Sequence, residues 1–333
     1  RGYGAALLGG TEAARGRWVI MGDADGQHDF LELPRFVERL KAGDELVMGS
    51  RSLGSVEKGA MGWKNRYLGN PVLSRLGRRL FKAPVSDFNC GYRGFDRARF
   101  LGLHLRTTGM EFASEHVIKS ALGGLRIGEV PITVHPSGRS RPAPLRPWRD
   151  GWRHLRFMLL MSPRGTLIKP GALLVALGTL LGAWVLAAPL LPSGLRLDAH
   201  ALLAACFLVL VGYQGATVGI AAHVFASEQG LIPPSRTLRR TLERFTLERG
   251  VTIGLIIAAA GGLMLGLLGL YALLGRLPTA TDPTFTLRAL LIGGTLVALG
   301  GQTVLMSFFY SMLGMQYHGR PPGLASILQQ HTP

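Results

Sequence analysis

Four long stretches without a single Asp, Glu, Lys or Arg constrain this chain more than any other feature: Gly171 to Leu191, Ala199 to Ser227, Gly250 to Gly275, and Ala289 to Gln316. A helix needs about 20 apolar residues to cross a bilayer core at about 1.5 Å rise per residue, and each stretch is that long. Short polar joints separate them. The second half therefore reads as four transmembrane helices, with spans about 167–191, 199–226, 250–275 and 288–316. A composition of 47% hydrophobic and only 17% charged residues fits that reading and excludes a disordered chain.

The 333 residues carry 37 basic and 20 acidic side chains, a formal charge of +17. Such an excess suits nucleic acid, an anionic membrane surface or phosphate-bearing substrates. The joint between the second and third spans holds Arg236, Arg239, Arg240, Arg244 and Arg249, whereas the other two joints are nearly free of basic residues. Positive joints remain cytoplasmic, so both termini and the soluble half are expected on the cytoplasmic side of the cell (inner) membrane. Positive-inside placement already accounts for the charge, and no nucleic-acid partner is expected. Trp148, Trp152, Leu155 and Leu159 fall on one helical face, with Arg149, Arg153 and Arg156 on another, which is the pattern of an interfacial helix. Within the spans, Pro189, His200, Gln214 and His223 are expected to kink helices or hydrogen-bond between them, and the many glycines suit close helix packing. Cys90 and Cys206 lie far apart and indicate neither a disulfide framework nor a zinc site.

The first half alternates helix and strand. Helices are predicted over Gly4–Ala14, Phe30–Ala42, Trp63–Phe81 and near Glu111–Leu122, and strands over Trp18–Met21, Glu45–Met48 and near Ile127–Val134. Alternation of this kind implies an α/β sheet domain whose ligands gather at the carboxyl ends of strands. The expected organisation is a catalytic domain over 1–147, an interfacial helix over 148–165, a four-helix membrane domain over 166–318 and a tail over 319–333.

Asp23-Ala24-Asp25 follows the first predicted strand directly. Two carboxylates one residue apart on such a turn can present oxygens to a hard cation, Mg2+ or Mn2+, which bridges to a diphosphate. The order Asp23, Asp25, Gly26, Asp29, with Pro34 in place of a closing glutamate, excludes an EF-hand. Asp87 and Arg93 either shape a sugar pocket or form a structural pair, and Gly91 and Gly94 beside Arg93 suggest backbone freedom in a turn. His28 stands next to the acidic turn, within reach of a phosphate or of the turn's own backbone.

Together with Arg1-Gly2-Tyr3-Gly4-Ala5, Asp23-Ala24-Asp25-Gly26-Gln27-His28, the turn Gly49-Ser50-Arg51, Asp87-Phe88-Asn89-Cys90-Gly91-Tyr92-Arg93-Gly94-Phe95 and Glu129-Val130-Pro131-Ile132, the first 141 residues resemble the family 2 glycosyltransferases, and within them the dolichol-phosphate mannose or glucose synthases. The resemblance implies a GT-A-like, Rossmann-like domain with its amino-terminal part missing. It implies that Asp23, Asp25 and Gln27 hold a divalent metal against the diphosphate of a nucleotide sugar. It further implies that Arg51 and Arg66 grip the phosphate of a polyprenyl lipid acceptor, with Asn70 where the family usually carries serine. The resemblance also places Arg139 and Arg141 in a basic loop, from which one or the other neutralises the departing diphosphate, and Glu115 where related transferases carry an acid on the helix lining the acceptor site. The implied activity is metal-dependent, inverting transfer of a sugar to a polyprenyl phosphate, dolichyl or undecaprenyl, at the cytosolic membrane face. Two other readings are a processive polysaccharide synthase, which the lack of Gln-x-x-Arg-Trp disfavours, and a non-catalytic membrane scaffold for a glycan flippase, which the pair Asp23 and Asp25 disfavours.

Overall fold

The computed structural model describes residues 2–138, 147–187, 199–233, 245–275 and 283–314. They fall into two compact units. One holds the chain up to Ser162 together with Ala226–Pro233, and the other holds Pro163–Phe225 and the later helices.

The first unit is built on a mixed four-stranded sheet in the order β1-β3-β2-β4. After α1 (Tyr3–Ala13), β1 (Trp18–Met21) occupies the predicted residues. Asp29 accepts a hydrogen bond from Leu31 N at 2.8 Å, which starts a tight turn over Phe30–Glu32 ahead of α2 (Leu33–Lys41). α2 buries Phe36 and Leu40, one helical turn apart, and places Arg39 and Lys41 at its carbonyl end, where the helix dipole favours cations.

The strand expected over Glu45–Met48 is much longer. β2 runs Leu46–Val56, buried through Ser50 and progressively exposed after it. It pairs with β4 (Ile127–Val134) in parallel as far as Ser50↔Pro131 and again from Ser55↔Thr133, with a bulge between. Alternation of side chains fails across such a bulge, so a pattern reading stops where the polar run Gly49-Ser50-Arg51-Ser52 begins. Gly49-Ser50-Arg51 is thus strand and not turn.

A wide helical turn, Asn65–Gly69, precedes α3 (Asn70–Phe81) where one continuous helix was expected. Pro71 has no N–H for the carbonyl of Tyr67, and the widened turn absorbs the missing bond. β3 (Arg93–Asp96) lies antiparallel to both β1 and β2, and Asp96 then caps α4 (Arg97–Gly102) by accepting from Ala98 N and Arg99 N. α5 (Phe112–Leu122) buries every residue from Phe112 to Ser120. α6 (Pro147–Leu160) turns Asp150, His154 and Met158, spaced four apart, into the interior, and His154 Nδ1 meets Ser114 Oγ at 2.8 Å. Trp148 and Trp152 remain exposed, so α6 has a buried face that the aromatic and basic stripes did not announce.

The second unit contains α7 (Lys169–Ala187), led by another wide turn over Arg164–Ile168, then α8 (Ala199–Glu228), α9 (Leu247–Leu273) and α10 (Pro283–Gly314). All four are long and apolar enough to cross a membrane, with mean hydropathy between 1.7 and 2.3. Pro189 lies outside the described residues. Gln214 hydrogen-bonds Gln302, Tyr213 Oη lies 2.6 Å from Thr303 Oγ1, and Tyr310 Oη donates to Thr217 O at 2.8 Å. α8 and α10 are therefore joined by polar contacts that an apolar solvent cannot replace.

Candidate active site

The carboxyl end of β1 opens into Gly22-Asp23-Ala24-Asp25-Gly26, where Gly26 takes φ +76° to close the turn. Asp25 Oδ1 accepts from Gln27 N at 3.2 Å. The turn is also sewn to the chain leaving β4: His135 N donates to Gln27 O at 2.9 Å, and Gly138 N to Asp25 O at 3.0 Å. Arg139 and Arg141, the next predicted site residues, lie outside the described residues.

Gly91, just before β3, faces the acidic turn. A Cβ on it would stand 2.6 Å from Asp23 Oδ2, so glycine there leaves room for the carboxylate. Gly94 likewise makes room, here for Ile20 and Leu40, and neither glycine has a positive φ. The expectation of backbone freedom at both is corrected to one of space.

Tyr3 on α1 lies within the field of Asp23, and burial first, then that charge, pushes its phenol up to about 12. His28 Nε2 stands 3.7 Å from Asp23 Oδ2, and its ring stacks on Tyr92 with centroids 5.1 Å apart. Tyr92 is wholly buried, and burial, reinforced by Glu32 and Asp29, raises its phenol to about 12.

Among the described residues no group of three or more His, Cys, Asp or Glu side chains is poised around a metal. The chemistry of the turn nevertheless suits a hard cation. Asp23 and Asp25 supply carboxylate oxygens, and Gln27 commits its amide nitrogen to Ala60 O at 3.0 Å, which leaves its amide oxygen to offer. Oxygen donors of this kind, carboxylate and amide, are the type that Mg2+ takes.

Arg51 sits in the β2 bulge with its side chain largely buried. Its Nε and Nη2 form a fork on Asp87 Oδ2 and Oδ1 at 2.5 and 2.7 Å. Burial opposes its charge, but the Asp87 carboxylate outweighs that cost and raises the guanidinium above its ordinary range. Asp87 moves the opposite way: burial works against ionisation, and the Arg51 fork holds it below the usual carboxylate range. Of the two readings for Asp87 and Arg93, the structural pair is therefore corrected. Arg93, fully buried, donates instead to the carbonyls of Cys90, Ala113 and Phe88 at 2.7, 2.8 and 3.4 Å. Those bonds tie the entry to β3 to the start of α5.

Arg66 is exposed on the wide turn. Its Nη1 reaches Val56 O at 3.4 Å and its guanidinium lies 5.4 Å from the Tyr67 ring centroid, so it borders the exposed end of β2. Asn70 approaches Met61 Sδ at 3.6 Å.

Glu115 is in a different setting from the other predicted residues. It is 1% exposed and accepts from Arg106 N, Thr107 N and Thr107 Oγ1, while Lys119 Nζ stands 2.9 Å away. Burial resists its charge, but Lys119 and Thr107 prevail and hold its carboxyl below the ordinary range. A carboxylate saturated by four donors and shifted downward is a poor proton acceptor.

Pattern reading had missed the groups behind Arg51. Glu129 Oε1 accepts from Ser86 N at 2.7 Å, Ser86 Oγ at 2.9 Å and Asp87 N at 3.4 Å, and Ser86 Oγ lies 2.5 Å from Ser50 Oγ. Serines carry no charge signal, and Glu129 stood out only as part of a motif.

Residues 1–101 match the family model "Glycosyl transferase family 2", and residues 220–314 match "Glycosyltransferase family 2 C-terminal transmembrane region". The low-salt glycan biosynthesis hexosyltransferase Agl6 of Haloferax volcanii is 35% identical over 320 residues, covering 94% of this chain and 74% of that protein. A dolichyl-phosphate hexose transferase of the same organism is 32% identical, covering 40% of this chain and 56% of its own. An undecaprenyl-phosphate mannosyltransferase of Micrococcus luteus is 33% identical, covering 38% and 56%. The chain thus spans just over half the length of these last two.

Proposed function

Because the chain belongs to the family 2 glycosyltransferases, a GT-A-like domain joined to a transmembrane region, we propose that it transfers a hexose from a nucleoside-diphosphate sugar to a polyprenyl phosphate at the cytosolic membrane face. The observation that carries this reading is the placement of Asp23, Asp25 and Gln27 on one tight turn after β1, with Gly91 leaving space for the Asp23 carboxylate. The names of the dolichyl-phosphate and undecaprenyl-phosphate relatives support the acceptor class.

Asp23, Asp25 and Gln27 would hold Mg2+ or Mn2+ against the donor diphosphate. The ion, when bound, supplies Lewis-acid stabilisation of the leaving group. Arg51 and Arg66 orient the acceptor phosphate, since guanidinium forks match phosphate oxygens. One acceptor phosphate oxygen attacks the anomeric carbon, the bond from that carbon to the diphosphate oxygen breaks, and the nucleoside diphosphate leaves with the electron pair. A single in-line displacement inverts the anomeric configuration. No general base is required, because a phosphate monoester with a second pKa of about 6 is already largely ionised at neutral pH. Glu115 then serves as a strut of α5 and has no proton to take.

Membranes holding the chain, supplied with labelled UDP-glucose or GDP-mannose and a polyprenyl phosphate, test the reading. A labelled, chloroform-soluble product is expected, abolished by EDTA and reduced about 100-fold or more in Asp25→Asn. Undiminished transfer by Asp25→Asn would remove that residue from the donor site. Binding of nucleotide sugar without any lipid-linked product would overturn the acceptor class.

A further inference from the structure

We propose that Glu129 is a positioning residue for the acceptor phosphate: it holds Arg51 in place through Ser86, Asp87 and Ser50. This rests on the acceptor reading above.

The register of the sheet starts the argument. β4 lies parallel to β2 with Glu129 opposite Met48, Val130 opposite Gly49 and Pro131 opposite Ser50. Glu129 is thus set beside the last regular stretch of β2, immediately before Arg51. Pro131 has no amide to give, and the register shifts directly after it. β2 bulges there, with Gly54 lying on the backbone of Ile132 so closely that no Cβ fits. Arg51 leaves the ladder at this bulge, and its orientation must be fixed by something other than sheet pairing.

Two arms of hydrogen bonds fix it, and both end on Glu129 Oε1. In the first, Glu129 accepts Asp87 N at 3.4 Å and Ser86 N at 2.7 Å, which anchors the loop carrying the Asp87 carboxylate. That carboxylate takes the Arg51 fork at 2.5 and 2.7 Å and also accepts Arg51 N at 3.3 Å. In the second, the Ser86 hydroxyl gives its single proton to Glu129 at 2.9 Å. The 2.5 Å contact between Ser86 and Ser50 must therefore be donated by Ser50, and Ser50 Oγ is left to accept Leu53 N at 3.2 Å. The second arm runs one way, from Leu53 N–H through Ser50 and Ser86 to Glu129, and it clamps the bulge on both sides of Arg51. Ser50 is fully buried and Asp87 2% exposed, whereas Ser86 and Glu129 are half-buried, so the ends of both arms nearest Arg51 are shielded from water. Nε and one N–H of Nη2 are engaged by Asp87, and the edge formed by Nη1 and the second Nη2 N–H is the part of the guanidinium that a phosphate can use.

The test uses the full chain in lipid nanodiscs, with farnesyl phosphate as the acceptor probe, farnesol as the uncharged control and the nucleoside diphosphate with Mg2+ as the donor-side control. Partners standing behind a ligating group are worth about 10- to 100-fold at metal centres, and the same range is expected here. Glu129→Ala should weaken farnesyl phosphate by about tenfold or more and leave nucleotide affinity within about twofold. Glu129→Gln, which keeps an acceptor oxygen for Ser86 and Asp87, should recover most of that loss. In turnover the same variants should raise KM for the lipid phosphate more than they lower kcat. Wild-type affinity for farnesyl phosphate in Glu129→Ala would overturn the role and leave the acceptor reading intact. Equal weakening of nucleotide and farnesyl phosphate would show a merely structural group and overturn it as well. A wild-type chain that binds farnesol as tightly as farnesyl phosphate would remove the acceptor reading, and this inference with it.

Discussion

Glu115 satisfies two backbone amides and a hydroxyl of the segment before α5 and neutralises Lys119, whose Nζ also donates to His104 O at 2.8 Å. The arrangement stabilises the fold where charge would otherwise be buried alone. Burial drives Lys119 below its ordinary range even with Glu115 beside it. Glu115→Gln removes the negative partner, and a buried pair broken on one side costs about 3–5 kcal/mol. The variant should melt at a clearly lower temperature by intrinsic fluorescence, with turnover per folded molecule about unchanged. Unchanged melting with lost turnover would return Glu115 to the chemistry. At this scale the position of the acidic turn was legible, because it directly follows a short apolar strand. The Arg51–Asp87 fork was not, since Asp87 is 36 positions away and chain order offered only its near neighbour Arg93 as a partner to weigh.

Among the elements, α9 and α10 show how small residues are used in the apolar half. A Cβ on Gly254 would meet Gly300 O at 2.8 Å, and one on Gly261 would meet Gly293 O at 2.6 Å, so the two backbones are in direct contact. Gly262, on the same helix as Gly261, has open space where a side chain would go. Gly261→Leu should therefore cost about 1–3 kcal/mol by overpacking and lower the temperature at which the detergent-solubilised chain aggregates. Gly262→Leu should leave that temperature unchanged; equal loss in both would mean that the helix dislikes leucine wherever it is placed. Glycine content alone announced close packing without saying which glycines touch. The limits of β2 and the wide turn before α3 were hidden for a related reason: a bulge and a proline-induced irregularity break the period on which pattern reading depends.

At the scale of the whole molecule, four candidate spans with basic residues concentrated in one joint predict an orientation that can be tested. A reporter inserted in the 234–244 joint should be active only when the reporter is a cytoplasmic one, and one inserted in 188–198 only when it is a periplasmic or extracytoplasmic one. The reverse pattern would place the proposed site on the wrong side for a cytosolic nucleotide sugar. The amino-acid sequence by itself determined the division into a sheet domain and four apolar helices, and the position of the acidic turn. Both depend on local period, length and composition, which are properties of contiguous residues. Only the tertiary structure decided that Asp87 belongs to Arg51, that Gly91 leaves room for Asp23, and that Glu129 stands behind Arg51 through Ser86 and Asp87. Those contacts join strands to loops that are far apart in the chain, where partner choice is set by the register of the sheet and the path of the loops, and neither is written in the order of the residues.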